Sequence, residues 1–186
     1  FFVLLSGAVT LFYLMLLLFK LFIVKKSTDY PLIDFSREEI ANITLDELPM
    51  YTIFIPLKYE AEVMHQIIKA MSSLDYPSEK LDFIITLEEY DLETRSAFLR
   101  LSPPSNFRIV TLPPSGPQTK PKALNVAFKE AKGDLLVIYD AEIIPDVDQL
   151  KKAYLAFKHY PELGVVQTRL DHYNYDQNIL TRFFNA

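Results

Sequence analysis

Three groups of charged side chains in this sequence stand in patterns that suit one kind of chemistry. Glu88, Glu89 and Asp91 fall together in EEYD, Lys120 and Lys122 lie in the proline-rich run PPSGPQTKPKALN, and Asp140 and Glu142 flank one small residue in YDAE. Carboxylates at i and i+2 just past a strand can point the same way and share a hard divalent cation, leaving its other positions to phosphate oxygens. Two lysines opposite balance a diphosphate. A fourth group, Lys58, Tyr59, Glu60 and Glu62 in PLKYEAE, stands at the mouth of another helix. Together they describe a pocket for a metal-bound nucleoside diphosphate, with Mg2+ or Mn2+ on Asp140 and Glu142. Each group also has a plainer reading. Asp140 and Glu142 can cap the helix beyond Pro145, Glu88 and Glu89 can be solvated loop acids, Glu60 an ordinary acid at a helix start, and the lysines solvated. Lys122 weighs against the plain reading, because the helix dipole disfavours a cation at a helix N-terminus.

The elements that must position these residues are short β-rich runs alternating with helical patterns. YTIFIP from 51 is followed by EVMHQIIKAMSSL, LDFIITL from 81 by LETRSAFLRL, FRIVTL from 107 by KALNVAFKEA, and DLLVIY from 134 by DVDQLKKAYLAFKHY, before a last run GVVQTR from 164. Five strands separated by four helices imply an α/β fold with a mostly parallel sheet and right-handed crossovers. The strands are near-continuous apolar runs, as expected where helices cover both faces. In open sheets of this kind ligands sit beyond the carboxyl ends of the strands, so the informative residues come after Ile55, Leu87, Leu112 and Tyr139. The aromatics Tyr51, Phe54, Phe83, Phe107, Phe128 and Phe157 read as core, and His65 and His159, inside helices, as structural or exposed.

Composition narrows the function. Of 186 residues, 19 are Lys or Arg and 24 Asp or Glu, a net charge of −5. The first 24 residues hold a single charge, Lys20, and once Lys20, Lys25 and Lys26 are set aside the remainder balances 16 basic against 24 acidic side chains, or −8. That argues against a nucleic-acid partner, which wants a basic face. Without cysteine there is no disulfide framework, thiolate zinc site or cysteine nucleophile. The four glycines, Gly7, Gly116, Gly133 and Gly164, are too far apart for a dinucleotide or P-loop motif. Residues 1–26 form an apolar run long enough for a transmembrane helix and without the cleavage site of a signal peptide. The Lys25–Lys26 pair at its C-terminal end implies that the domain beyond it is cytoplasmic, on the inner (plasma) membrane. Residues 27–49 read as a linker with a capping box, Ser36 and Glu39, before a short amphipathic stretch that lies on the membrane or on the domain. Residues 50–186 form the catalytic-type domain. A start in apolar sequence without Met and an end at TRFFNA in a helical pattern suggest a fragment of a longer protein.

In this order and placement, PLKYE (Pro56 to Glu60), LEEYD (Leu87 to Asp91), KALN (Lys122 to Asn125) and DAE (Asp140 to Glu142) resemble the motifs of the processive, membrane-integrated family-2 glycosyltransferases of the GT-A fold, such as bacterial cellulose synthases and related β-glucan synthases. The resemblance runs from about Leu48 to the end. It implies a Rossmann-like GT-A domain that transfers a sugar, with inversion, from a nucleotide-sugar such as UDP-glucose to a growing polysaccharide or glycan acceptor. Lys58, Tyr59, Glu60, Glu88, Glu89 and Lys122 would bind the donor nucleotide, Asp140 and Glu142 the metal, and Gln167 and His172, within QTRLDHYN with Tyr173 and Asn174, the sugar or acceptor. The sequence departs from the family in placing Lys58 where an aromatic stands, in carrying Glu88 and Glu89 for two aspartates, and in using Glu142 as the second metal carboxylate. The family's catalytic base and its acceptor-site motif would fall downstream of Ala186, so this chain would hold the donor half. Two rivals share the architecture. A membrane-anchored, receiver-like regulatory domain needs an acid pair after strand one, and a sugar nucleotidyltransferase starts with a glycine-rich loop; neither feature is here.

Overall fold

The computed structural model describes residues 1–27, 33–168 and 181. The chain divides into two units, Phe1–Asp34 and Phe35–Ala186. The first is dominated by one helix, α1 (Phe2–Ser27), of 26 residues. At 1.5 Å per residue it is about 39 Å long, and with a mean hydropathy of 2.4 over an 18-residue stretch it is long and apolar enough to cross a membrane. Two of its hydroxyls are satisfied within the helix, Thr10 donating to the Ser6 carbonyl and Ser27 to that of Val24, which suits a lipid surround.

The second unit opens with α2 (Arg37–Ala41), started by the capping box: the Glu39 amide donates to Ser36 Oγ, and the Ser36 amide to the Glu39 carboxylate. A 3-10 turn, Leu45–Glu47, comes next. Of the two placements open to this stretch, it takes the domain. Ile40 and Leu48 are buried, Lys80 Nζ donates to the carbonyls of Leu45 and Leu48, and Lys158 pairs with Glu47.

Four parallel strands then alternate with helices: β1 (Tyr51–Pro56), α3 (Met64–Ser72), β2 (Leu81–Glu88), α4 (Leu92–Leu101), β3 (Phe107–Leu112), α5 (Lys120–Phe128), β4 (Leu135–Ile138) and α6 (Gln149–His159). Their order across the sheet is β3-β2-β1-β4. The chain therefore steps outward from β1 to β3 and returns to the far side of β1 for β4. Alternate residues face two helical layers. Ile53, Ile55, Phe83 and Ile85 pack with Ile67, Met71, Phe98 and Leu150 of α3, α4 and α6, and Phe83 stacks on Phe107 with centroids 4.1 Å apart. Phe54 and Ile84 face the other way, onto Leu124 and Ala127 of α5. Every residue of β2 is buried, as a strand sandwiched by helices requires.

Three expectations are corrected. Residues 164–168 are not a strand; Val165 is exposed there, and β propensity alone does not form a strand where the run is not hydrogen-bonded to the sheet. The strand β4 is not apolar-covered on both faces: Leu136 and Ile138 are 41% and 47% exposed, because α5 lies over β1, β2 and β3. Phe128, expected in the core, is 63% exposed at the end of α5. Tyr51, Phe54, Phe83 and Phe107 are buried as expected, Phe157 is half-buried, and His65 and His159 are exposed, His159 edge-on to Phe35.

The start of β4 is fitted closely against β1. A Cβ on Gly133 would come within 2.4 Å of the Thr52 amide nitrogen and 2.6 Å of the Tyr51 carbonyl carbon. Glycine allows the Gly133 and Lys132 amides to donate to Thr52 Oγ1 at 2.8 and 3.0 Å. On the same face a part-buried pair locks β2 to β3: Asp82, 5% exposed, takes a two-pronged hydrogen bond from Arg108.

Candidate functional site

Because all four strands run in one direction, their carboxyl ends meet along one edge of the sheet, and the singled-out residues gather there. After β1 the amide of Leu57 still bonds the Thr86 carbonyl, and then the chain turns sharply. Lys58 is exposed and directs Nζ to Gln118 Oε1 at 3.3 Å, on the β3–α5 loop. Tyr59 has φ 57°, in the left-handed region. Its amide donates to Asp91 Oδ2 at 2.8 Å, and the next amide, of Glu60, donates to Thr94 Oγ1 at 3.1 Å. Asp91 is also the N-cap of α4, its Oδ1 accepting from the Thr94 amide at 3.1 Å. The rings of Tyr59 and Tyr90 stand 6.1 Å apart, tilted by 40°, at the rim. Desolvation first, then the charge of Glu88, holds the Tyr90 phenol above its usual pKa.

At the end of β2, the two glutamates part. Glu89 is exposed, whereas Glu88 is 4% exposed and its Oε2 has no hydrogen-bond donor among the described residues. Lys122 Nζ lies 3.8 Å from that oxygen. Lys122 also donates to the Pro113 carbonyl. Thus the lysine stands at the α5 N-terminus because a buried carboxylate faces it and outweighs the unfavourable dipole. The loop from Pro113 to Thr119 turns through Gly116 at φ 85°.

After β4, Tyr139 is buried and Asp140 is half-exposed, paired with Lys120 Nζ of α5. Glu142 is exposed two residues on. Sequence spacing put Lys120 and Lys122 together; the fold separates their partners, giving one to the acid pair of β4 and the other to the end of β2. Among the described residues no three carboxylates or histidines cluster as a metal cage. Two hard oxygens from Asp140 and Glu142 are nevertheless a donor set suited to Mg2+ or Mn2+, ions that take one or two carboxylates and leave the rest of the shell to phosphates and water. The Tyr139 hydroxyl, its pKa raised by burial, donates to Gln149 Oε1 at 2.8 Å, and Gln149 Nε2 donates to Thr168 Oγ1 at 2.8 Å. That chain of bonds ties the residue before Asp140 to the neighbour of Gln167, which is exposed. His172, Tyr173 and Asn174 lie outside the described residues.

The profile of the family described as "Glycosyltransferase like family 2" matches residues 49–186, from the second residue before β1 through every strand end just described. The chain belongs to that family. The receiver-like reading is thereby set aside. Among curated proteins, glycosyltransferase relatives include "Probable glycosyltransferase YdaM" of Bacillus subtilis strain 168, 30% identical over 143 residues, 76% of this chain and 34% of that protein. The chain therefore spans about a third of the length of that relative. Among solved structures, the mannosyltransferase PcManGT of Pyrobaculum calidifontis, in complex with GDP-Man and Mn2+, aligns with a TM-score of 0.51 at 23% identity, covering 62% of this chain and 36% of the other. S. aureus TarS 1–349 with UDP-GlcNAc aligns with a TM-score of 0.52 at 17% identity, covering 66% and 38%. These likenesses establish the GT-A-like fold.

Sequence reasoning named Asp91 only as one acid of three and passed over Tyr90, Gln149 and Thr168. The signal for Asp91 was present: an acid three residues before Thr94 at the start of a helical pattern is an N-cap spacing. Its second bond, to a residue 32 positions earlier, has no local signature.

Proposed function

We propose that this glycosyltransferase-2 domain is the donor-binding part of a metal-dependent enzyme that transfers a hexose, with inversion, from a UDP-sugar such as UDP-glucose to a growing polysaccharide or glycan. The observation that carries the reading is the meeting, at one sheet edge, of the Asp140–Glu142 pair with a buried acceptor, Glu88 Oε2, that has no donor among the described residues. Asp140 and Glu142 would hold Mg2+ or Mn2+, which when bound neutralises the diphosphate and stabilises it as a leaving group. Lys122, and Lys120 once drawn from Asp140, lie on α5 where they add positive charge beside that diphosphate. Lys58, directed to the same loop, joins them. Uracil offers an imide N–H, and a carboxylate can only accept; of the two glutamates, Glu88 has the unfilled acceptor. Tyr59 supplies an aromatic face, and Glu60 follows it in the turn held by Thr94. Gln167 and His172 belong to the sugar or acceptor side. Helix α1 would anchor the chain in the inner membrane with the domain cytoplasmic, where nucleotide-sugars are made.

Calorimetry on the full chain in detergent tests the donor site. UDP should bind with Mn2+ and not in excess chelator, and Asp140→Ala should abolish the metal dependence. Glu88→Gln should weaken UDP by more than about 1 kcal/mol, the scale of a hydrogen bond to a charged group. Equal binding with and without metal defeats the metal assignment, and undiminished affinity in both Glu88→Gln and Glu89→Gln defeats the base assignment. For topology, protease outside intact cells should leave residues 35–168 uncut.

A further inference from the structure

We infer that Asp91 is a positioning residue that aims Tyr59 at the nucleobase and so makes the β1 loop competent for the donor, a role separate from its capping of α4. The inference rests on the donor-site reading above.

Tyr59 and Ser102 are the two non-glycine residues with positive φ among the described residues. Ser102 ends α4, a usual place for that conformation. Tyr59 ends no helix, and a tyrosine in the left-handed region persists only where its surroundings hold it. What holds it is the first turn of α4. Asp91, 1% exposed, takes the Tyr59 amide, and Thr94, 0% exposed, takes the Glu60 amide. Capping alone does not need this arrangement, since serine or threonine caps a helix about as well as aspartate. Asp91 caps with Oδ1 and spends Oδ2 on Tyr59.

The consequence is an orientation. With its backbone fixed there, Tyr59 is 64% exposed at the rim, its ring beside that of Tyr90, which is 41% exposed and precedes Asp91 directly. Lys58 is turned away to Gln118. One carboxylate thus sets both aromatic rings above the strand end that carries Glu88, and decides that Tyr59, not Lys58, presents a face to the base. Aromatic faces stack on any base, so this device governs affinity for the nucleoside part and not for the diphosphate.

The test uses the full chain in detergent with Mn2+ and two ligands, UDP and pyrophosphate. Asp91→Ser keeps a capping oxygen but is too short to reach the Tyr59 amide. It should melt close to the wild type, bind pyrophosphate unchanged and bind UDP about tenfold more weakly, the scale of one lost stacking contact. Tyr59→Asn, which tolerates the left-handed region, should show the same loss, and the double variant no further loss. The inference is overturned if Asp91→Ser binds UDP like the wild type, if it weakens both ligands equally, or if the two losses add. Should Asp91→Ser not fold, Asp91→Asn, which keeps the volume and one acceptor oxygen, carries the same comparison. A wild type that binds pyrophosphate but no nucleotide removes the donor-site reading itself, a result distinct from any of these.

Discussion

Replacing Lys122 by methionine isolates the electrostatics at the end of β2. The ammonium is 3.8 Å from Glu88 Oε2, with 13% of the lysine and 5% of the glutamate side chain exposed. At an effective dielectric of about 20, two unit charges at that distance attract by about 4 kcal/mol. Methionine retains the apolar stem, so little packing is lost. Relaxation around the stranded carboxylate, by protonation or an inserted water, recovers part of the attraction, leaving an expected loss of about 2–3 kcal/mol. The cost then lies in the glutamate. Glu88→Gln in the same chain should restore most of it, since a neutral amide needs no counter-charge, and the two changes should show a coupling of about 2 kcal/mol. Urea unfolding of the four chains in one detergent, monitored by near- and far-ultraviolet circular dichroism to check for a single transition, measures this. The reasoning is refuted if Lys122→Met unfolds with the wild type, or if Glu88→Gln adds a loss of its own on top. Glu88→Gln by itself separates structure from recognition, because it should cost little stability and still weaken UDP.

Other perturbations probe the packing, the acid pair of β4 and the capping box. Gly133→Ala drives a methyl into the β1 backbone at 2.4–2.8 Å and should cost about 3 kcal/mol, seen as a melting temperature lower by roughly 10 °C; a shift under about 2 °C would contradict the packing. Lys120→Met breaks a pair in which both side chains are 45% exposed, so its effect on stability should stay below about 1 kcal/mol, while Mn2+–UDP affinity falls; a large drop in melting temperature would mean the pair is structural. The Glu39 carboxyl is held below its usual value by hydrogen bonds from the Ser36 backbone and side chain, and that of Glu47 by Lys158. Groups with depressed folded pKa values stabilise above the unfolded pKa, and that contribution is lost as pH falls through the folded value. Amide exchange in residues 36–48 should therefore rise below about pH 4 while β1 and β2 stay protected; uniform exchange across the domain would show that the stretch does not loosen separately.

Much of this arrangement was legible in the residues themselves. YTIFIP and FRIVTL became β1 and β3 with the expected limits, because apolar, β-rich runs bounded by turn formers have few alternatives. The acids appeared at strand ends because a parallel sheet gathers those ends on one edge, and Ser36 and Glu39 could be paired from spacing alone. What sequence could not supply was partner choice over distance. Lys120 and Lys122 are neighbours on α5, yet their ammonium groups diverge to Asp140 and Glu88. The left-handed Tyr59 depends on a carboxylate 32 residues later. GVVQTR has strand-like composition, yet its described residues 164–168 join no strand of the sheet, so composition alone did not decide their conformation.

The sheet order β3-β2-β1-β4 places the strand that ends in Glu88 on one side of β1 and the strand that leads to Asp140 on the other. The end proposed to read the base and the end proposed to hold the metal are thus carried by different neighbours of a shared central strand, each with its own loop and helix. Substitutions that retune one can accumulate without disturbing the geometry of the other. A scaffold divided in this way can change the nucleotide it accepts while conserving how it handles the diphosphate, so diversification of donors across such a lineage would concentrate in the β2–α4 turn and spare the β4 end.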